Sequence, residues 1–229
     1  MTDRSTALIL GASRGLGLAL AEEFLGRGYH VVATVRSPSA ALETAGAAHP
    51  GRLEIETADI ADASSLRALR QRLDGRRIDI VIANAGIALS IGKSPAEVED
   101  ADFTAMMLTN ALGPARAIEL LEDLVPGDGV LAAMSSELGS IALGSGFWQL
   151  YSASKAALNM LMKGFASHRR DDSRALLLLA PGWVKTDMGG ESALYTIGES
   201  IPKVVDVVEA SRGVPGLRFV DRFGTILPW

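Results

Sequence analysis

The chain has 229 residues, a net charge of −5 and 48% hydrophobic residues, which is enough for one sizeable buried core. It has no cysteine, which excludes disulfides, thiolate nucleophiles and cysteine-bound zinc or iron–sulfur groups. Its three histidines lie far apart in sequence and no basic cluster occurs, so we expect neither a metal site nor a nucleic-acid partner. No apolar run reaches the length of a signal-peptide core or a membrane span, so we expect a cytoplasmic protein without a membrane partner.

Short apolar segments alternate with helical patterns along the chain. Six segments read as strands: residues 7–10, 30–35, 53–56, 80–83, 130–134 and 176–179. Most are apolar throughout, which is typical of strands buried on both faces of a parallel sheet. The alternation predicts an α/β fold with a single domain over residues 1–229, a Rossmann-type doubly wound parallel sheet with helices on both faces.

The pattern weakens after residue 186. Glycines and prolines interrupt residues 187–216, which contain one short apolar stretch. Ligands of doubly wound sheets bind outside the carboxyl ends of the strands. Because this segment leaves such an end, we predict that residues 187–216 form a substrate lid.

The first strand ends in a glycine-rich turn, Gly11-Ala12-Ser13-Arg14-Gly15-Leu16-Gly17, and a helix follows at once. Such glycines let the backbone approach a pyrophosphate, while the helix N-terminus supplies amide donors. The alternative is a tight turn whose glycines serve packing alone. Its position in the first strand–helix unit favours a dinucleotide site.

The end of the second strand predicts which dinucleotide binds. It reads Thr34-Val35-Arg36 and lacks the acidic residue that would accept a hydrogen bond from the ribose of NAD. Arg36 and Arg14 together could clamp a 2′-phosphate, although either alone is more often a solvated surface charge. We therefore expect NADP(H) in preference to NAD(H).

Tyr151 and Lys155 carry the strongest chemical signal. Four residues apart on a helix, they share one face. A cation close to a tyrosine favours the phenolate and lowers its pKa, so the pair makes a plausible general acid/base. The spacing alone occurs by chance in many helices.

Seven motifs in order remove that ambiguity. They are the glycine-rich turn, Asp59-Ile60, Asn84-Ala85-Gly86, Asn110, Ser135-Ser136, Tyr151 to Lys155, and Pro181-Gly182. With them the chain resembles the short-chain dehydrogenase/reductase family over nearly its full length. Residues 181–190 and the terminal Leu227-Pro228-Trp229 resemble the branch with C-factor and the sniffer-type carbonyl reductases.

The resemblance implies four catalytic residues. Tyr151 donates the proton in reduction, and Lys155 lowers the pKa of Tyr151 and binds the nicotinamide ribose. Ser136 binds the substrate oxygen; it is favoured over Ser135 because Ser136 to Gly139 fits the family's SxxG pattern. Asn110 holds a water that links Lys155 to solvent.

The resemblance also implies where the cofactor lies. Asp59 and Ile60 flank the adenine, Asn84 to Gly86 line the trough, and the nicotinamide end is contacted by Pro181, Gly182, Val184 and Thr186. The predicted cofactor contacts are therefore Gly11, Ser13, Arg14, Gly15, Leu16, Gly17, Arg36, Asp59, Ile60, Asn84, Ala85, Gly86, Tyr151, Lys155, Pro181, Gly182, Val184 and Thr186. Structural alternatives are a loop cap at Asp59, backbone hydrogen bonding by Asn110 and a simple turn at Pro181-Gly182.

Four large side chains flank these motifs: Phe147, Trp148, Trp183 and Met188. If all approach the nicotinamide, the pocket suits an apolar or aromatic ketone, aldehyde or quinone. Alternatively, two or more of them pack beneath the lid or at a subunit contact. The resemblance implies a homodimer or homotetramer. A nucleotide-binding signalling protein on the same fold is the alternative function, and a purely structural interaction module is disfavoured by the intact glycine-rich turn.

Overall fold

A seven-stranded parallel sheet forms the centre of the computed structural model, which describes residues 4–229. The first three residues of the predicted domain lie outside this range. The strands are β1 (Thr6–Leu10), β2 (His30–Val35), β3 (Leu53–Thr57), β4 (Ile80–Ala83), β5 (Val130–Met134), β6 (Ala175–Ala180) and β7 (Gly216–Asp221). The helices are α1 (Gly15–Gly26), α2 (Ala40–Ala48), α3 (Ala63–Arg72), α4 (Asp100–Met107), α5 (Gly113–Leu121), α6 (Gln149–Ser167) and α7 (Ile197–Ala210).

The strand order is β3-β2-β1-β4-β5-β6-β7, and every neighbouring pair is parallel. The order reverses between β1 and β4, where the chain crosses from one half of the sheet to the other. This is the predicted doubly wound fold, and the reversal opens a crevice at the carboxyl ends of the strands.

Helices cover both faces of the sheet. Along β1, Ala7 and Ile9 belong to the core formed with α1, α2 and α7. Leu8 and Leu10 belong to the opposite core, formed with α3, α5 and α6. Each of these four side chains is at most 1% exposed. The strands are continuously apolar because alternate residues enter two different cores.

The seventh strand was not predicted from the sequence. β7 pairs with β6 alone, so it is an edge strand, and only Phe219 and Val220 in it are buried. Arg218 and Asp221 interrupt the apolar pattern. An edge strand needs less apolar surface than a central one, which explains the weak signal.

The prediction of an irregular segment over residues 187–216 is wrong for residues 197–210, which form α7. Thr196 and Glu199 begin this helix with a capping box, and its buried Val204, Val205 and Val208 pack in the core with α1. The capping box and the helical spacing of these valines outweigh the breaker signals of Gly198 and Pro202. Only the first part of the segment therefore stays a candidate lid.

None of the helices in residues 4–229 combines the length and apolarity needed to cross a membrane.

Matched valine substitutions test the packing of α7. Val204→Ala removes a side chain that is 0% exposed, so we expect it to lower the free energy of unfolding by about 1–3 kcal/mol. Val214→Ala is the control, because that side chain is 42% exposed, and its effect should stay within about 0.5 kcal/mol. Urea denaturation measures both. Equal effects would contradict the burial of α7.

Candidate active site

A cavity of about 480 Å³ lies at the carboxyl ends of the strands. Most of the predicted site residues line it. They are Gly11, Ser13, Arg14, Gly15, Leu16, Arg36, Asp59, Ile60, Asn84, Ala85, Gly86, Ser136, Phe147, Trp148, Tyr151, Lys155, Pro181, Gly182, Trp183, Val184, Thr186 and Met188. Gly17 and Asn110 are the two predicted site residues that do not line it.

The glycine-rich turn has no room for a side chain at Gly11 or Gly17. Gly11 has φ +87°, and a Cβ there would lie 2.6 Å from that of Ala85. A Cβ at Gly17 would overlap the carbonyl oxygen of Gly11. The turn leads directly into the N-terminus of α1, which starts at Gly15. This bare backbone at a helix N-terminus fits the phosphates of a dinucleotide.

Two polar side chains brace the turn. The side-chain amide of Asn84 donates to the carbonyl oxygen of Gly11 over 2.8 Å. The Thr34 hydroxyl accepts from the amide of Gly11 at 3.1 Å, a contact that sequence reasoning did not identify. Thr34 directly precedes the predicted specificity residues, but nothing local indicates that its hydroxyl turns towards β1.

The two arginines predicted to select the dinucleotide differ in their contacts. Arg36 is exposed at the rim of the cavity. Arg14 forms a 2.6 Å ion pair with Asp187, at the start of the candidate lid. Since both partners are more than 75% exposed, this pair contributes little to stability. Asp59 lines the cavity and also caps its loop, accepting from the amide of Ala61 at 2.9 Å.

Tyr151 and Lys155 lie in α6, one turn apart, and both face the cavity. Lys155 is only 2% exposed, and its ammonium donates to the carbonyl oxygen of Met134 over 2.8 Å. Its Nζ lies 5.7 Å from the centroid of the Tyr151 ring. Burial lowers the pKa of Lys155 to about 8, because the low-polarity surroundings disfavour its charged form.

The predicted lowering of the Tyr151 pKa by Lys155 is not what the structure shows. Burial raises the pKa of Tyr151 to about 12, and hydrogen bonding with the neighbouring Ser136 opposes that rise. The cost of desolvating a phenolate exceeds the opposing effect of Ser136. Tyr151 therefore carries its proton at neutral pH, as a proton donor must.

The structure distinguishes the two adjacent serines. The hydroxyl of Ser135 is buried and donates to the Asn159 side chain over 2.7 Å. Ser136 lies next to Tyr151 in the cavity lining, and its oxygen accepts a longer bond of 3.2 Å from the amide of Leu138. Only Ser136 is thus placed to share a substrate oxygen with Tyr151.

Asn110 lies in a π-helical turn, Leu108–Leu112, between α4 and α5. Its side chain bonds both backbone groups of Ile87, at 2.7 and 2.8 Å, and donates to Ser154 over 3.0 Å. Asn110 therefore makes the backbone hydrogen bonds that the structural alternative predicts for it. A Cβ at Gly86 would lie 3.4 Å from Asn110 Oδ1 and 3.5 Å from Lys155 Nζ, so both polar groups border the same small space.

Three of the four predicted substrate-contacting side chains, Phe147, Trp148 and Trp183, cluster in the cavity wall and define what we call the substrate end; Met188 also lines the cavity. Phe147 and Trp148 stack at 5.3 Å between ring centroids, and Phe147 meets Trp183 edge-on at 6.2 Å. Trp148 also contacts the Tyr151 ring at 5.7 Å. It stands at φ +46°, an uncommon conformation for a bulky residue, directly before α6.

Sequence reasoning missed other residues that line the cavity, among them Glu137, Leu138 and Leu194. The first two directly follow Ser136, and their place next to a predicted catalytic serine is a signal that could have identified them. Leu194 is 68% exposed, and nothing in its neighbours predicts a position near the cavity.

Known proteins resemble this chain over most or all of its length. The family profile described as short chain dehydrogenase matches residues 5–194. The C-signal protein of Myxococcus xanthus is 33% identical over 170 residues, which are 72% of this chain and 100% of that protein.

Solved structures extend the similarity. A short-chain dehydrogenase/reductase of Burkholderia multivorans with bound NADP is 47% identical, with a TM-score of 0.96 over 99% of this chain and 100% of that one. A carbonyl reductase of Pseudomonas aeruginosa PAO1 in complex with NADP is 41% identical, with a TM-score of 0.92 over the same shares. The carbonyl reductase Sniffer of D. melanogaster is 28% identical, with a TM-score of 0.87 over 99% and 100%. The resemblance predicted from the motifs is confirmed, including its branch.

The buried ammonium predicts a pH-dependent stability. The pKa of Lys155 is about 8 in the folded protein and 10.5 ordinarily, so between these values the unfolded chain binds more protons. The free energy of unfolding should therefore gain a rising contribution from pH 8 to pH 10. Urea denaturation across this range should show the rise in the wild type and its loss in Lys155→Met. Parallel pH profiles for the two proteins would contradict the buried charge.

Proposed function

We propose that this chain, which belongs to the short-chain dehydrogenase/reductase family, interconverts an apolar or aromatic carbonyl compound and its alcohol with NADP(H). The observation that carries the proposal is the meeting of Ser136 and Tyr151 in a cavity whose substrate end is aromatic. Carbonyl reductases among the similar structures support the reaction class.

The cavity residues divide the work by position. The bare backbone at Gly11 and Gly15 receives the pyrophosphate, and Lys155 is placed to bind the ribose next to Tyr151. When bound, the nicotinamide supplies or accepts the hydride. Every other task falls to the protein, which orients the substrate, polarises its oxygen and moves a proton.

Ser136 and Tyr151 act on the substrate oxygen. Both donate hydrogen bonds to it, which stabilises the negative charge that develops there during reduction. Tyr151 then gives up its proton. Its raised pKa keeps that proton in place until a charged oxygen is there to accept it. The space bordered by Asn110 and Lys155 is where we place the water that returns the proton.

The substrate class follows from the walls of the cavity. Phe147, Trp148, Trp183 and Met188 offer aromatic and apolar contact. Glu137, also in the lining, disfavours a substrate with a carboxylate or phosphate near its carbonyl.

We propose that residues 187–196, the part of the predicted lid that precedes α7, cover the substrate end. Assembly into homodimers or homotetramers stays a prediction.

NADP(H) in preference to NAD(H) rests on Arg36 and Arg14. Arg36 reaches the cavity rim where the second strand ends, and no acidic residue occupies that position. NADP in two of the similar structures supports the choice. Because Arg14 also forms an ion pair with Asp187, substituting it would change two interactions at once, so Arg36 is the better residue to test.

Tyr151→Phe tests the reaction. Removing the proton donor should lower the turnover of an aryl-ketone and aldehyde panel about 10²- to 10⁴-fold, measured by NADPH absorbance. NADPH affinity, measured by fluorescence titration, should change little because the ring is retained. Wild-type binding of NADPH without turnover of any carbonyl or alcohol would instead favour the signalling alternative.

Arg36→Ala tests the cofactor preference. Losing a charge-assisted contact should weaken NADPH binding about 10-fold or more and leave NADH binding almost unchanged. Arg170→Ala, which removes an exposed arginine outside the cavity lining, is the matched control. Equal weakening of both dinucleotides would refute the 2′-phosphate contact.

A further inference from the structure

We propose that Arg222, a buried arginine next to the substrate end of the cavity, is a positioning residue that holds segment 183–195 in place by stacking on Tyr195. The cavity lining does not include Arg222, and none of the catalytic steps above uses it. Its influence passes through Tyr195 to Trp183, which does line the cavity.

Arg222 occupies a costly position. It is 7% exposed, and its Nε is buried without a hydrogen-bond partner among residues 4–229. Its guanidinium carbon lies 3.6 Å from the centroid of the Tyr195 ring and 4.5 Å from that of Phe223. A buried guanidinium normally has carboxylate or carbonyl partners, whereas here two aromatic faces hold it.

The stack lies directly against the backbone that follows β6. Gly182 has φ +84°, and a Cβ there would lie 2.6 Å from Nη1 of Arg222 and 3.1 Å from the Tyr195 ring. Gly182 also faces the cavity. Gly182 alone thus lies between the guanidinium of Arg222 and the cavity.

Tyr195 in turn fixes the backbone of the cavity wall. Its amide donates to the carbonyl oxygen of Trp183 at 3.1 Å, and its carbonyl accepts from the amide of Lys185 at 2.7 Å. The Trp183 indole then donates to the carbonyl oxygen of Gly189 at 2.9 Å and its ring meets Phe147. A displacement of Tyr195 therefore moves Trp183, one of the walls of the substrate end.

Arg222→Met separates positioning from folding. An apolar side chain of similar length removes a buried charge, a change that is often neutral or stabilising in proteins. A purely structural arginine would instead lower the melting temperature and leave the active molecules with unchanged kinetics. We expect no loss of melting temperature, but a looser segment 183–195.

Arg218→Met is the matched control. Arg218 lies in β7, the strand that ends directly before Arg222, and two of its guanidinium nitrogens are likewise buried without partners in the described part of the chain. Arg218 pairs with Leu177, which lies in the middle of β6, whereas Arg222 lies beyond the end of β6 that leads to the cavity. Both variants make the same chemical change, but only Arg222 touches Tyr195.

Hydrogen–deuterium exchange gives a readout that needs no substrate. Losing the stack should speed amide exchange in segment 183–195 about 2- to 30-fold in Arg222→Met. Arg222→Lys, which keeps a cation near the ring, should restore part of the protection, and Arg218→Met should resemble the wild type. Unchanged exchange in Arg222→Met, or equal changes in both methionine variants, would overturn the proposal.

Steady-state kinetics provides the second readout, and it rests on the proposed carbonyl reduction. KM for a bulky aryl ketone should rise by a similar factor in Arg222→Met, with kcat changing much less and the affinity for NADPH unaffected. Faster exchange with unchanged KM would refute the link to substrate binding. A wild-type protein that reduces no carbonyl would refute the proposed function, while the exchange experiment would still decide the role of Arg222.

Discussion

The parallel pairing of β1 with both β2 and β4 is the constraint on which the rest of the molecule depends. It brings the ends of three strands to one edge, where Gly11, Thr34 and Asn84 meet within hydrogen-bond distance. The chain can turn there only with glycine at positions 11 and 17, since a Cβ at either would collide with its neighbours. The proposed dinucleotide site is therefore a consequence of sheet topology combined with glycine at these two positions.

The chemistry on the other side of that edge depends on burial. Lys155 and Tyr151 are both held where charge is disfavoured, which moves their pKa values in opposite directions, to about 8 and about 12. Between these values neither group carries charge in most molecules. At neutral pH the phenol therefore keeps its proton and Lys155 is still mostly an ammonium, but this ammonium gives up its proton at a lower pH than it would in water.

Most of the fold and of the candidate catalytic centre could be predicted from the sequence because their signals are local. Strands buried on both faces are continuously apolar, and the tight turn requires glycines. The shared helix face of Tyr151 and Lys155 shows in their spacing of four residues. The elements that escaped prediction depend on distant partners. β7 is recognisable only beside β6, and the stacking of Arg222 needs a tyrosine 27 residues earlier in the chain. The direction of the Tyr151 pKa shift also escaped, because burial depends on the whole fold.

The buried ammonium of Lys155 has an evolutionary consequence. A charge held in a core is a site where random substitution readily gains stability, since an apolar residue avoids the cost of desolvation. Selection for a sturdier protein and selection for a working one therefore act against each other at this position. Under the proposed function, a lineage freed from its catalytic task would be expected to lose this lysine early, while Gly11 and Gly17, which sterics require, would persist in its descendants.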